Sequence, residues 1–167
     1  RNAEETTALI RDRAGDAPVE YGLVLGSGLG HIADEIDGVA IDYADLPGFP
    51  DAGVSGHSPK LVIGELEGTR VAVFGGRAHY YESGRGDAMR TPLEVLKALG
   101  GARLILTNAA GSMHPELAPG DLMLLSDHIN FSGLNPLIGD PSEGRFVPMT
   151  EAHDPDLRAA LRAAAEA

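Results

Sequence analysis

An apolar stretch that ends in two glycines most constrains what this chain can fold into. Residues 70–74, RVAVF, alternate in hydropathy and run directly into Gly75 and Gly76. The pattern predicts a β-strand whose carboxyl end opens into a loop at the edge of an α/β sheet. Because loops at that edge usually carry binding groups, the residues that follow are the first candidates for a functional site.

The loop after this strand, GGRAHYYESG at residues 75–84, gathers one arginine, one histidine and two tyrosines. Arg77 offers a permanently charged fork of donors that suits phosphate or carboxylate, and His79 adds a nearby donor. Tyr80 and Tyr81 provide flat surfaces with a hydroxyl tip. These residue types favour a site for an anion such as a sugar phosphate, although a solvated surface turn would have the same composition.

Two further apolar stretches end in small residues. Residues 21–25 run into glycines spaced around Ser27, where backbone N–H groups and the serine hydroxyl would face an anion, backed by a short helix over residues 31–36. Residues 103–107 break into the small residues 108–111, which permit a ribose or a phosphate to approach the backbone closely. A tightly packed turn explains that last segment equally well.

The glycine spacing argues against two common enzyme classes. Gly26, Gly28 and Gly30 follow G-x-G-x-G and not the G-x-G-x-x-G of dinucleotide-binding proteins, which disfavours a nicotinamide-dependent oxidoreductase. A nucleophile elbow around Ser27 would need glycine where the chain has Leu25 and Leu29. A serine hydrolase is therefore not expected.

Length and composition suit one α/β domain, residues 1–167, with a central mixed β-sheet flanked by helices. The chain has 167 residues, 43% of them hydrophobic, and its 22 glycines are consistent with many tight turns. The run from 130 to 150 is too long for an ordinary connection and is interpreted as a functional or interface loop. The predicted elements are a helix over 4–13, a hairpin of 61–66 with 70–74 through 67–68, a helix over 91–99, strands over 103–107 and 121–125, and a helix that starts at 154–155.

Charge and residue content exclude other partners. A formal charge of −12 argues against a nucleic-acid backbone, and no apolar run approaches the roughly 20 residues of a membrane span. A cytoplasmic location is expected, since the chain opens without a signal peptide; the absence of cysteine is compatible with a reducing cytosol but does not by itself indicate the compartment. Asp127 and His128 lack a third metal ligand at recognisable spacing, and His153 has no neighbouring chemistry, so no metal site is predicted.

Six short motifs follow one another along the chain in a consistent order: LGSGLG at 25–30, PGFP at 47–50, VSGHSPKLVIG at 54–64, GGRAHYYE at 75–82, TNAAGS at 107–112 and DHINFSGLNPL at 127–137. Together they resemble the trimeric (class II) purine nucleoside phosphorylases, of which the chain matches the N-terminal portion. The arginine–histidine loop and the asparagine–alanine turn favour this family over methylthioadenosine phosphorylase, which shares the fold.

The resemblance implies a role for each matching position. Phosphate, the co-substrate, would be bound by Ser27, His57, Arg77, His79 and the backbone N–H of Ala109. Of these, His57, Arg77 and His79 are the implied catalytic residues. Tyr81 would meet the ribose, and Phe146 would reach across a subunit boundary to a nucleoside in the neighbouring site.

The implied activity is reversible phosphorolysis of 6-oxopurine (deoxy)ribonucleosides such as inosine and guanosine to free base and (deoxy)ribose 1-phosphate, by a homotrimer without a further cofactor. The family's purine-recognising residues belong to a later region, so none is assigned here. Methylthioadenosine phosphorylase, and a phosphate-binding module without turnover, remain the alternatives.

Overall fold

A computed structural model describes residues 2–51 and 59–167 of the chain. Residue contacts divide it into two compact units, Arg1–Ala110 and Gly111–Ala167. The described strands are β1 Tyr21–Val24, β2 Asp37–Asp42, β3 Lys60–Leu66, β4 Thr69–Phe74 and β5 Arg103–Leu106, and the α-helices are α1 Asn2–Ala14, α2 Tyr80–Ser83, α3 Arg90–Ala98 and α4 Pro155–Glu166.

The five strands form one mixed sheet in the order β2-β3-β4-β1-β5. β2, β3 and β4 are antiparallel neighbours, whereas β1 runs parallel to both β4 and β5. In this register Val24 lies beside Phe74 on one side and beside Leu106 on the other. The carboxyl ends of three adjacent strands therefore lie at one edge of the sheet, as the sequence predicts.

Side chains of β4 alternate between two apolar clusters, one on each face of the sheet. Ala72 and Phe74 pack in the cluster that includes Ile10 of α1 and Val95 of α3. Val71 and Val73 belong to the other cluster. Because β4 is buried on both faces, it forms the centre of the core and fixes the loop that follows it. The sheet with its flanking helices confirms the predicted α/β class.

The hairpin between β3 and β4 also confirms its prediction. Leu66 pairs with Thr69, which leaves Glu67 and Gly68 as the two turn residues. Both have positive φ, 48° and 75°, as a two-residue turn of the mirror-image type requires. Glycine adopts that conformation freely, and Glu67 is held in it by the strands on either side.

One predicted element is wrong, and one strand was not predicted. The short helix predicted over 31–36 is present as a 3-10 helix at Gly30–Glu35, and no side chain of its N-cap residue bonds to it. Residues 121–125 form no strand, because a strand needs a ladder partner and this apolar run has none among the described residues. The unpredicted strand is β2, only one residue of which is buried.

The second unit contains α4 and the 3-10 helix Glu143–Arg145, and its other residues form turns and irregular segments. α4 starts as predicted: the Asp154 carboxylate accepts a hydrogen bond from the Leu157 N–H at 2.7 Å, and Pro155 follows the cap. Residues 130–150 contain no strand and no helix beyond the 3-10 turn, in keeping with the predicted long loop. Among the described helices, none combines the length and the apolar character that a membrane crossing requires.

Candidate functional site

Three loops leave the same edge of the sheet, after β1, β4 and β5. Each strand brings one set of predicted phosphate ligands to that edge: Ser27 follows β1, Arg77 and His79 follow β4, and Ala109 follows β5. Ser27 and Ala109 are exposed, whereas Arg77 and His79 are half-buried. The topology thus gathers four of the five predicted phosphate-binding residues on loops of one edge.

Thr107, directly after β5, connects these loops. Its hydroxyl accepts a hydrogen bond from the Gly26 N–H at 2.8 Å and donates one to the Val24 carbonyl at 3.0 Å. Its own N–H bonds to the same carbonyl at 3.0 Å. The β1 and β5 loops are therefore held together by three hydrogen bonds through one residue, which sequence reasoning did not single out.

Arg77 is oriented by the same threonine. One of its terminal guanidinium nitrogens donates to the Thr107 carbonyl at 2.6 Å, which holds the β4 loop over the end of β5. No carboxylate of the described residues forms an ion pair with Arg77. Since a guanidinium has five N–H donors, the remaining donors can bind an anion at this edge.

Two glycines give the β1 loop its shape. A Cβ on Gly26 would lie 2.7 Å from the Thr107 carbonyl oxygen and 2.8 Å from the Asn108 Cα, so only glycine fits between the two loops. Gly28 has a φ of 89°, in the left-handed region, and the Leu29 N–H closes the turn onto the Gly26 carbonyl at 3.2 Å. Ser27 therefore sits at the tip of a turn that its neighbours define.

His79 is the N-cap residue that precedes the short helix α2, and both its backbone and its ring are held in place. The Glu82 carboxylate accepts a hydrogen bond from the His79 N–H at 2.7 Å. The imidazole stacks on the Tyr81 ring with centroids 5.0 Å apart and 9° between the planes. Tyr81 is 79% exposed, so its phenol is open to a ligand that reaches the adjacent imidazole.

Tyr43 supports the β4 loop from within the core. Its hydroxyl donates to the Gly76 carbonyl at 2.7 Å, and its ring meets Phe49 edge to face at a centroid distance of 4.9 Å. Burial raises the pKa of the Tyr43 hydroxyl well above its ordinary value, because the ionised form would lose its hydration. The neutral phenol is thus a structural donor next to Arg77.

The geometry of this edge does not test the roles predicted for two further site residues. His57 lies outside the described residues. Phe146 belongs to the second unit, where its ring is 68% exposed and the Arg145 guanidinium lies 4.6 Å from the ring centroid. The roles inferred for both residues stay predictions.

The second unit also corrects the expectation that His128 and His153 have no neighbouring chemistry. The Nδ1 of His128 and the Nε2 of His153 lie 3.2 Å apart, although the two residues are 25 positions apart in sequence. Asp127, His128 and His153 each bring one potential ligand atom within 4.8 Å of the others. Sequence spacing could not indicate this group, because the two histidines are distant in sequence and meet only through the path of the long loop between them.

Comparison with known proteins identifies the class to which this fold and loop arrangement belong. A family model described as the phosphorylase superfamily matches residues 20–167. The chain belongs to the phosphorylase superfamily.

Within that superfamily, the relatives are purine nucleoside phosphorylases. Purine nucleoside phosphorylase 1 of Geobacillus stearothermophilus is 48% identical over 159 residues, which cover 93% of this chain and 58% of the relative. Two solved structures from Schistosoma mansoni also match, and each match covers 99% of this chain and 60% of the solved chain. The purine nucleoside phosphorylase in complex with inosine has a TM-score of 0.85 and 38% identity, and isoform 2 in complex with cytosine and ribose-1-phosphate has 0.86 and 36%. The chain thus spans about three fifths of the length of these relatives.

Proposed function

We propose that this chain carries the phosphate-binding and ribose-binding part of a purine nucleoside phosphorylase. The proposed reaction is the reversible phosphorolysis of 6-oxopurine (deoxy)ribonucleosides, such as inosine and guanosine, with inorganic phosphate as co-substrate. The observation that carries the proposal is the pair of hydrogen bonds by which the β1 loop and Arg77 are attached to Thr107, at the end of β5. These hydrogen bonds support an anion site built from three strand ends.

The relatives support the choice of substrate. One Schistosoma mansoni structure holds inosine and another holds ribose-1-phosphate, which are a substrate and a product of the proposed reaction. The strand-end loops of this chain carry residue types suited to both groups, with an arginine fork for phosphate and an exposed tyrosine for a ribose.

In the proposed reaction a phosphate oxygen forms a bond to the anomeric carbon of the ribose while the bond from that carbon to the purine nitrogen breaks. The electron pair of the broken bond leaves with the purine, which takes up a proton. Positive charge develops on the ribose ring in the transition state, and the adjacent phosphate dianion stabilises it. The protein therefore has to hold phosphate firmly in one orientation without neutralising it fully.

The proposed roles come from the resemblance, and the geometry of the strand-end loops supports them. Arg77 binds two phosphate oxygens through donors that its bond to Thr107 leaves available. The Ser27 hydroxyl and the Ala109 N–H approach phosphate from the flanking loops. His79 donates from a ring that Tyr81 supports by stacking, and Tyr81 contacts the ribose.

The role of His57, the role of Phe146 and the homotrimer rest on the resemblance. His57 contributes a further donor to phosphate, and Phe146 covers a nucleoside bound by a neighbouring subunit of a homotrimer. Absence of cysteine is compatible with a cytoplasmic location, which we include in the proposal.

The decisive measurement compares phosphate affinity and phosphate-dependent hypoxanthine release from inosine in this chain and in Arg77→Ala. Loss of the guanidinium removes charge-assisted hydrogen bonds, so phosphate affinity should fall about 30-fold, or about 2 kcal/mol. Arg103→Ala is the matched control, because Arg103 lies at the opposite end of β5, where its guanidinium is 5.3 Å from the centroid of the Tyr21 ring. Equal phosphate affinity in the wild type and Arg77→Ala would refute the site.

The same experiment separates the alternatives. Phosphate binding that Arg77→Ala abolishes, together with no release of base, identifies a binding module without turnover. Faster phosphorolysis of methylthioadenosine than of inosine would instead place the protein in the methylthio-nucleoside branch. Release of hypoxanthine that depends on Arg77 supports the main proposal.

A further inference from the structure

Two imidazole nitrogens and one carboxylate of the second unit come together, and the proposed phosphorolysis assigns no role to any of the three residues. The Nδ1 of His128 and the Nε2 of His153 are 3.2 Å apart, and an Asp127 oxygen lies within 4.8 Å of both. We propose that Asp127, His128 and His153 bind a divalent transition-metal ion of the zinc class. This proposal does not rest on the proposed function.

The spacing of the nitrogens fits such an ion. Two metal–nitrogen bonds of about 2.05 Å at a tetrahedral angle place the nitrogens about 3.3 Å apart. The observed 3.2 Å matches the edge of a zinc tetrahedron, whereas the Asp127 oxygen, which lies within 4.8 Å of the nitrogens, has to move closer to complete the set. Without metal, the same two nitrogens share a hydrogen bond, which explains why they stay close.

Donor chemistry selects the kind of metal. Two imidazoles and one carboxylate form a set that zinc and its neighbours in the transition series prefer, whereas magnesium and calcium take oxygen ligands almost exclusively. Asp127 uses one carboxylate oxygen to accept the His128 N–H at 2.8 Å, and a carboxylate can accept at its other oxygen as well. That hydrogen bond holds the carboxylate beside the imidazole, as supporting contacts of metal ligands do.

The electrostatic surroundings also favour a cation. His153 precedes the start of α4, where the helix dipole by itself would disfavour positive charge. Three carboxylates oppose that effect: Asp127 within the group, Asp154 as the helix cap and Asp156 in the first turn. The chain as a whole carries a formal charge of −12, which raises the local concentration of cations.

A bound ion would join the two ends of the segment between His128 and His153. These residues are 25 positions apart, and the chain between them includes the irregular loop that carries Phe146. Because a metal clip reduces the conformational freedom of the loop it closes, the ion would make this loop more resistant to proteolysis. The inferred role of the metal is therefore structural: it would cross-link the two ends of the loop and would not act as a catalytic centre.

The test uses the chain without a histidine tag and stripped of metal by a chelator. Titration with Co²⁺, followed by its visible absorption and then by displacement with Zn²⁺, should show one ion per chain. His153→Gln and His128→Gln should each weaken Zn²⁺ binding by more than about tenfold, since even loss of a supporting contact costs that much. His114→Gln is the matched control, an exposed histidine of the same unit outside the group.

Measurements on the unaltered protein keep the proposal testable if the variants misfold. Substoichiometric Zn²⁺ should shift the imidazole NMR signals of His128 and His153 before those of the other histidines, and should slow proteolysis within residues 130–150. An equal concentration of Mg²⁺ should neither shift these signals nor slow the proteolysis. The proposal is wrong if the wild type binds no zinc, if all histidine signals shift together, or if His114→Gln weakens binding as much as His153→Gln.

Discussion

The two compact units of this chain differ in where their apolar side chains lie. In the first, β4 is buried on both faces and Phe74 is 1% exposed. In residues 111–167, all of which the structure describes, no residue is buried, and Phe131 is 97% exposed. The first unit therefore has a hydrophobic core of its own, whereas the second holds its local shape through turns, a helix cap and polar contacts.

This difference determines how accurately each unit can position functional groups. Thr107, Gly26 and Arg77 are fixed by strand ends that the core holds in register, so their mutual geometry is set by packing as well as by hydrogen bonds. His128 and His153 meet without a core behind them. We infer that a bound ion would supply to the second unit part of the order that packing supplies to the first.

The largest expected effect tests this contrast with one residue type. Phe74→Ala removes a buried ring and should lower the free energy of unfolding by about 3–5 kcal/mol. Phe131→Ala removes an exposed ring and should change that free energy by no more than about 0.5 kcal/mol. Urea denaturation monitored by circular dichroism measures both. Similar losses in the two variants would mean that Phe131 is covered in solution and that the contrast is wrong.

A smaller effect tests whether the site depends on close packing of its loops. Gly26→Ala would place a methyl group 2.7 Å from the Thr107 carbonyl oxygen, and relief of this clash should cost about 1–3 kcal/mol of stability and weaken phosphate binding. Gly30→Ala is the control, because a Cβ there meets nothing within 4 Å. Denaturation and phosphate titration of both variants provide the check. Unchanged phosphate affinity in Gly26→Ala would show that the β1 loop does not contribute to phosphate binding.

Local sequence rules predicted the parts of the fold that local physics decides. The hairpin at Glu67 and Gly68 follows from turn chemistry, and α4 follows from its cap and its proline. The apolar stretches before Gly26, Gly75 and Asn108 predicted three strand ends. Parallel pairing of β1 with β4 and β5 then brought these ends to one edge.

The remaining features depend on contacts between distant residues, which no local pattern contains. Thr107 was passed over because its importance comes from bonds to Val24, Gly26 and Arg77, up to 83 positions away. Residues 121–125 have the apolar character of a strand, but pairing decides whether a strand forms. A polar residue at the carboxyl end of a predicted strand, as Thr107 is, would have been the one available signal.

Tyr43→Phe has the smallest expected effect, and it tests whether the core supports the loop after β4 through the Tyr43 hydroxyl. The change removes the hydrogen bond to the Gly76 carbonyl and keeps the ring, so it should cost about 1 kcal/mol below pH 9. Above pH 10 the unfolded wild type ionises this phenol while the folded state keeps it neutral, because burial raises its folded pKa. The wild type should then lose about 1.4 kcal/mol per pH unit relative to the variant.

The stability difference between the two proteins should therefore shrink as pH rises through 10 and reverse near pH 11. The other three tyrosines are present in both proteins, so their ionisation cancels in this comparison. Urea denaturation at several pH values between 8 and 11 measures the difference. A difference that stays constant over this range would show that Tyr43 is accessible to solvent, and that the Arg77 loop lacks the buried support inferred for it.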